Sequence, residues 1–98
     1  MSIASFADRA TEDVFNGVDS RRARRCCPSS LWPVAARKLE QLNAVDRPAD
    51  LRLPPGNRLE ALSGDRAGQH SIRINDQYRV CFRSTGRGFE DVEITDYH

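Results

Sequence analysis

The chain has 98 residues, a net charge of +1 and no apolar run near the roughly 20 residues that a membrane span requires. A chain of this size buries roughly 60–65% of its unfolded surface, enough for one modest core, so residues 1–98 are expected to form a single domain. Residues 1–8 lack the basic start and apolar stretch of a signal peptide. The three cysteines, Cys26, Cys27 and Cys81, draw neither a disulfide framework nor a zinc spacing. The expectation is a cytoplasmic protein with reduced thiols, without membrane attachment, metal or cofactor.

The cations are 14 Arg and one Lys. Arg presents a planar fork that matches phosphate and stacks on bases, and Lys does not. A GC-rich genome produces the same bias, so the composition alone leaves both explanations standing.

Residues 2–6 predict a short edge strand with Ile3 and Ser5 on one face. Asp8 is placed to cap a short helix, with Glu12 and Asp13 near its start. Ala10, Val14 and Phe15 fall on one side of that helix, and Gly17 ends it in the left-handed conformation. Ser20 can cap one more turn through Arg21, Arg22, Arg24 and Arg25. This cluster is either a contact for RNA or an acidic partner, or a solvated turn between helices.

Ser29 or Ser30 opens the main helix, with Pro33 tolerated in its first turn. Leu31, Val34, Ala35, Leu39 and Leu42 recur at helical spacing, with Val45 near the end. Trp32 is assigned to packing. Pro48 ends the helix region, because the residue before a proline disfavours helical geometry. Residues 46–57 form a loop with a rigid turn at Pro54-Pro55-Gly56.

From Arg58 onward the pattern changes to a period of two. Ile72 and Ile74, then Tyr78, Val80 and Phe82, then Val92 and Ile94 alternate with polar neighbours, the mark of strands with one buried face. Parity fixes the hairpin. A two-residue loop would set Ile74 against Gln77 and Ile72 against Arg79. A three-residue loop, Asn75 to Gln77, pairs Ile74 with Tyr78 and Ile72 with Val80, which keeps all four on one face. It also places Arg73 opposite Arg79 on the other face. That repulsion is relieved either by nearby acids, such as Glu60 or Glu93, or by a bound phosphate. His70 lies in a strand and is assigned a structural place.

The run LEALSGDRAGQHSIRINDQYRVCF, the earlier ARKLEQLNA and the terminal Asp96-Tyr97-His98 together resemble the HigB branch of the RelE-like toxins, across nearly the whole chain. The resemblance implies an α+β, RelE-like fold: two to three N-terminal helices packed on one face of a mainly antiparallel, twisted sheet of four to five strands. It implies a toxin of a type II toxin–antitoxin system, a ribosome-dependent endoribonuclease that cleaves mRNA. The implied partners are mRNA on the ribosome and a helix-turn-helix, HigA-like antitoxin, with higher-order toxin–antitoxin complexes as a further possibility.

By the same resemblance Arg79 matches the family's strand arginine, and Asp96, Tyr97 and His98 match its C-terminal catalytic cluster. Gly64 and Asp65 match the turn after the first sheet strand. Two positions depart from the family's pattern: Glu60 stands where it has histidine and Ser63 where it has lysine. Glu60 can still serve as a base. Ser63 cannot supply charge to phosphate, a loss that Arg58, Arg66 or Arg73 can offset. Two other readings remain: a ParE-like poison of DNA gyrase, and a catalytically weakened toxin that mainly binds its antitoxin.

Overall fold

The structure is a computed structural model that describes residues 2–96. Three helices come first, α1 (Arg9–Asn16), α2 (Arg21–Cys26) and α3 (Trp32–Ala44). A stretch with two 3-10 turns (Pro48–Arg52, Pro55–Asn57) leads to strands β1 (Glu60–Ala61), β2 (His70–Arg73), β3 (Arg79–Thr85) and β4 (Gly88–Thr95). The strands form one antiparallel sheet in chain order, and α1 and α3 pack on β3 and β4. This is the α+β arrangement expected from the sequence.

Local chemistry sets the helix ends. The Asp8 carboxylate accepts the Thr11 N–H at 2.7 Å, and Gly17 closes α1 at φ 73°. The Ser20 hydroxyl accepts the Ala23 N–H at 3.1 Å and starts α2. The entry to α3 differs from expectation. Ser29–Leu31 form a 3-10 turn closed by the Leu31 N–H on the Pro28 carbonyl, so no serine side chain caps α3, which begins at Trp32 with Pro33 in its first turn. Trp32 does pack, and its indole N–H donates to the Cys27 carbonyl at 3.2 Å.

Ala35, Leu39 and Leu42 of α3 are fully buried against Ile72, Val80, Phe82, Phe89 and Val92 of the sheet. Each fully buried Leu or Phe contributes about 1.5–3 kcal/mol relative to exposure. The Phe82 and Phe89 rings meet edge to face at 5.3 Å, and His70 stacks on Phe82 at 6.0 Å. Phe89 and Val92 both point inward although they are an odd number of residues apart. The extra residue is Asp91, a bulge in the left-handed region at φ 54° that resets the alternation.

The N-terminal segment departs from the expected strand. Ile3 pairs with Phe89 and Phe6 with Val92, as two isolated parallel bridges rather than a continuous ladder. The Asp91 bulge falls between them, and its N–H is taken by the Ser5 hydroxyl at 2.9 Å. Further along the same edge, the Ile94 N–H donates to the buried Thr11 hydroxyl at 3.0 Å, and the Cys26 thiol reaches the Ile94 carbonyl at 3.9 Å. Backbone groups that would template another strand are thus occupied along most of β4.

Candidate functional site

The hairpin register is the one that parity required. Ile72 pairs with Val80 and Arg73 with Arg79, and the Ile74 N–H bonds the Tyr78 carbonyl at 2.9 Å. Asn75 shapes the three-residue loop, its side-chain oxygen accepting the N–H groups of Gln77 and Tyr78. The helices cover the apolar face. The opposite face carries Glu60, Ser71, Arg73, Arg79, Cys81 and Glu93, because Glu60 pairs with Ser71, Ser71 with Cys81 and Cys81 with Glu93 across the four strands.

Arg79 is the centre of this face. Its side chain is only 16% exposed, unusually low for an arginine off the core. Its Nε–H donates to the Ser71 hydroxyl at 2.9 Å and one terminal nitrogen donates to the Arg58 carbonyl at 2.7 Å. The other terminal nitrogen lies 3.6 Å from the Glu60 carboxylate, whose side chain is 54% exposed. The two hydrogen bonds fix the plane of the guanidinium and leave further N–H donors directed elsewhere. Thr95 is the cross-strand partner of Arg79, so the chain delivers Asp96 immediately beyond it. Gln77 holds Asp96, donating to its carboxylate at 2.8 Å.

The opposed arginines are relieved by separate partners. Arg73 pairs with Asp76 in the hairpin loop, and the Asp76 carboxyl is held below its ordinary value first by the hydrogen bond from Arg73 and then by its charge. Of the two acids expected to supply this relief, Glu60 stands beside Arg79. Glu93 instead pairs with Arg66 at 3.3 Å, which also bonds Gln69. Cys81 lies beneath these charges, and burial pushes its thiol up to about 11.

Glu60, Arg58, Arg73, Arg79 and Asp96 therefore gather around one end of the open face. Arg66 sits further along it with Glu93. Ser63 is exposed and opens the 3-10 turn Gly64–Arg66, where its carbonyl accepts the Arg66 N–H. Its side chain is not brought to Arg79 by any hydrogen bond among the described residues. Tyr97 and His98 lie outside the described residues. His70, on the apolar face, has its Nδ1 buried without a hydrogen-bond partner among the described residues.

Sequence reasoning missed Ser71, Gln77 and Asn57. Asn57 is fully buried, and its amide group donates to the carbonyls of Leu51 (3.1 Å) and Leu53 (3.4 Å) and to Gln41 (3.2 Å), while its oxygen accepts from Lys38. A signal was present: Lys38 is the single lysine beside 14 arginines, a place where a compact ammonium stands instead of a fork.

A small antiparallel sheet with helices on one face and arginines on the other is consistent with a RelE-like fold. The family model described as the RelE-like toxin of the type II toxin–antitoxin system HigB matches residues 4–98, and the chain belongs to this HigB-like toxin family. It is 45% identical over 78 residues to toxin HigB-1 of Vibrio cholerae serotype O1, covering 80% of the chain and 79% of that toxin. It is also 45% identical over 71 residues to an uncharacterized protein of Haemophilus influenzae, covering 72% of the chain and 65% of that protein. Membership of a toxin–antitoxin system implies an antitoxin as partner. No helix among the described residues is long and apolar enough to cross a membrane.

Proposed function

We propose that the chain is a ribosome-dependent endoribonuclease that cleaves mRNA in the cytoplasm by general acid–base chemistry, and that a HigA-like helix-turn-helix antitoxin neutralises it. The observation that carries this reading is the fixed Arg79 guanidinium, flanked by the Glu60 carboxylate at 3.6 Å and by the strand end that delivers Asp96. A base removes the 2′-OH proton, the 2′-oxygen attacks phosphorus, and the bond to the 5′-oxygen breaks as an acid protonates it. Glu60 or His98 serves as base. Arg79, with Arg73 behind its Asp76 partner, binds the charge that builds on the phosphoryl oxygens. His98 or Tyr97 serves as acid, and an ordinary histidine pKa of about 6.5 suits either role. Arg58 and Arg66 extend the cationic surface along the RNA backbone, and Ser63 contributes at most a hydroxyl contact.

The test is induction in bacteria followed by mapping of mRNA 5′-ends, together with purified toxin on programmed ribosomes. Prompt cleavage of translated mRNA supports the proposal. Intact mRNA with DNA-damage signalling favours a gyrase poison, and intact mRNA with antitoxin binding alone marks a weakened toxin.

A further inference from the structure

We infer that Lys38 and Asn57 are positioning residues that aim the Arg79 guanidinium through the backbone carbonyl of Arg58. This rests on the reading of Arg79 as the phosphate clamp. Lys38 and Gln41 are three apart on α3 and so share one face. Both reach the segment ahead of β1: the Lys38 ammonium donates to the Asn57 side-chain oxygen, and the Gln41 amide donates to the Leu53 carbonyl at 2.9 Å. Asn57 in turn gathers Leu51, Leu53 and Gln41 through its amide nitrogen. One buried amide therefore closes the whole segment against α3.

The next residue, Arg58, is held in the left-handed region at φ 47°, which a non-glycine residue adopts only when its surroundings impose it. That turn of the backbone directs the Arg58 carbonyl at Arg79, 2.7 Å away. The Ser71 hydroxyl supplies the second anchor. Together they define the guanidinium plane, whereas either one alone leaves it free to rotate. Lys38 is also the only described cation whose pKa is lowered, by burial first and then by the charges of Arg37 and Arg73. A misplacement of about 1 Å in such a clamp reduces turnover by about a hundredfold.

The experiment uses the full-length chain carrying Lys38→Met, Lys38→Arg or Asn57→Ala, each alone and in an Arg79→Lys background. Ribosome-dependent mRNA cleavage and the solvent exchange of the Arg79 Nε–H by 15N NMR are both measured. Lys38→Met is expected to lower kcat by roughly ten- to a hundredfold with little change in KM, and Lys38→Arg to recover part of it. In the Arg79→Lys background the same change should lower kcat by no more than about twofold, because the two residues act as one unit. Exchange of the Arg79 Nε–H should rise in Lys38→Met and in any Asn57→Ala protein that folds. Unchanged exchange in Lys38→Met overturns the inference, and so does a kcat loss as large in the Arg79→Lys background as in the wild type. If Arg79→Ala itself cleaves normally, the reading of Arg79 as the phosphate clamp fails instead, and the exchange measurement still decides whether Lys38 holds Arg79 in place.

Discussion

Arg73 and Arg79 stand opposite one another as cross-strand partners, and each is anchored by a different set of acceptors. Like charges in this register destabilise a bare sheet. Here Arg73 is answered by an exposed loop carboxylate, Asp76, and Arg79 mainly by neutral oxygens. An approaching phosphate competes with one exposed ion pair, which is weakly held in water, and needs to displace none of the neutral anchors of Arg79.

Arg79→Ala should reduce mRNA cleavage by about 10²–10³-fold, the range for loss of a charge-stabilising donor. The structure also places a stability cost on it. The substitution deprives the buried Ser71 hydroxyl and the Arg58 carbonyl of the guanidinium, at about 1–3 kcal/mol, which lowers Tm by several degrees in a domain of this size. Arg79→Lys should recover charge but not the forked geometry. Cleavage by the alanine variant at the wild-type rate would remove Arg79 from the mechanism.

Glu60 and Ser63 separate by the same geometry. Glu60 stands within reach of Arg79 and Ser63 does not, so Glu60→Gln should lower turnover with little change in Tm if Glu60 is the base. Ser63→Lys should strengthen RNA binding by adding a cation beside the open face, seen as a lower KM on programmed ribosomes. Equal kinetics for wild type and both variants would exclude the two positions from the reaction.

Removal of Tyr97 and His98 should abolish cleavage while leaving Tm and antitoxin affinity nearly unchanged. The last strand ends at Thr95, and among the described residues the last buried side chain is Ile94. A truncated protein that folds and still cleaves would deny His98 its role as acid or base.

Asp13 predicts an acid response. Its carboxylate accepts Arg22 Nε–H and the Ser20 hydroxyl, both at 2.6 Å, and the Arg22 bond first, then the Ser20 bond, hold it below the ordinary carboxylate value. A depressed carboxylate contributes stability that is fully present above its unfolded pKa of about 3.9 and is lost as pH falls through the lower folded value. Asp13→Asn should therefore lower Tm at pH 7 and flatten the fall in Tm below about pH 4. A variant whose Tm follows pH as the wild type does would show that this pair is not coupled to folding.

How much was legible depended on the range of each interaction. The caps at Asp8, Gly17 and Ser20 are short side-chain or backbone events, and the sequence spells them out. The hairpin register followed from the parity of Ile72, Ile74, Tyr78 and Val80, and with it the facing arginines. The broken pairing of residues 2–6 was not legible, because it depends on a bulge at Asp91 at the far end of the chain. Thr11 reads as an indifferent helix residue until the Ile94 N–H arrives beside it. Asn57 reads as a turn residue after Pro-Pro-Gly, and only the packing of α3 makes it a buried hub. The resemblance supplied Arg79 and Asp96 as site residues, while Ser71 and the Arg58 carbonyl, which hold Arg79, emerged only from the folded chain.

The bridges from Ile3 and Phe6 to β4 join residues far apart in sequence, as the 86-residue separation of Ser5 and Asp91 shows. Contacts this distant form only after the intervening loop has closed. A nascent chain halted before Phe89 has no partner for its own N-terminus and lacks the strand that pairs with Arg79. The domain is therefore expected to remain protease-sensitive until β4 has been synthesised.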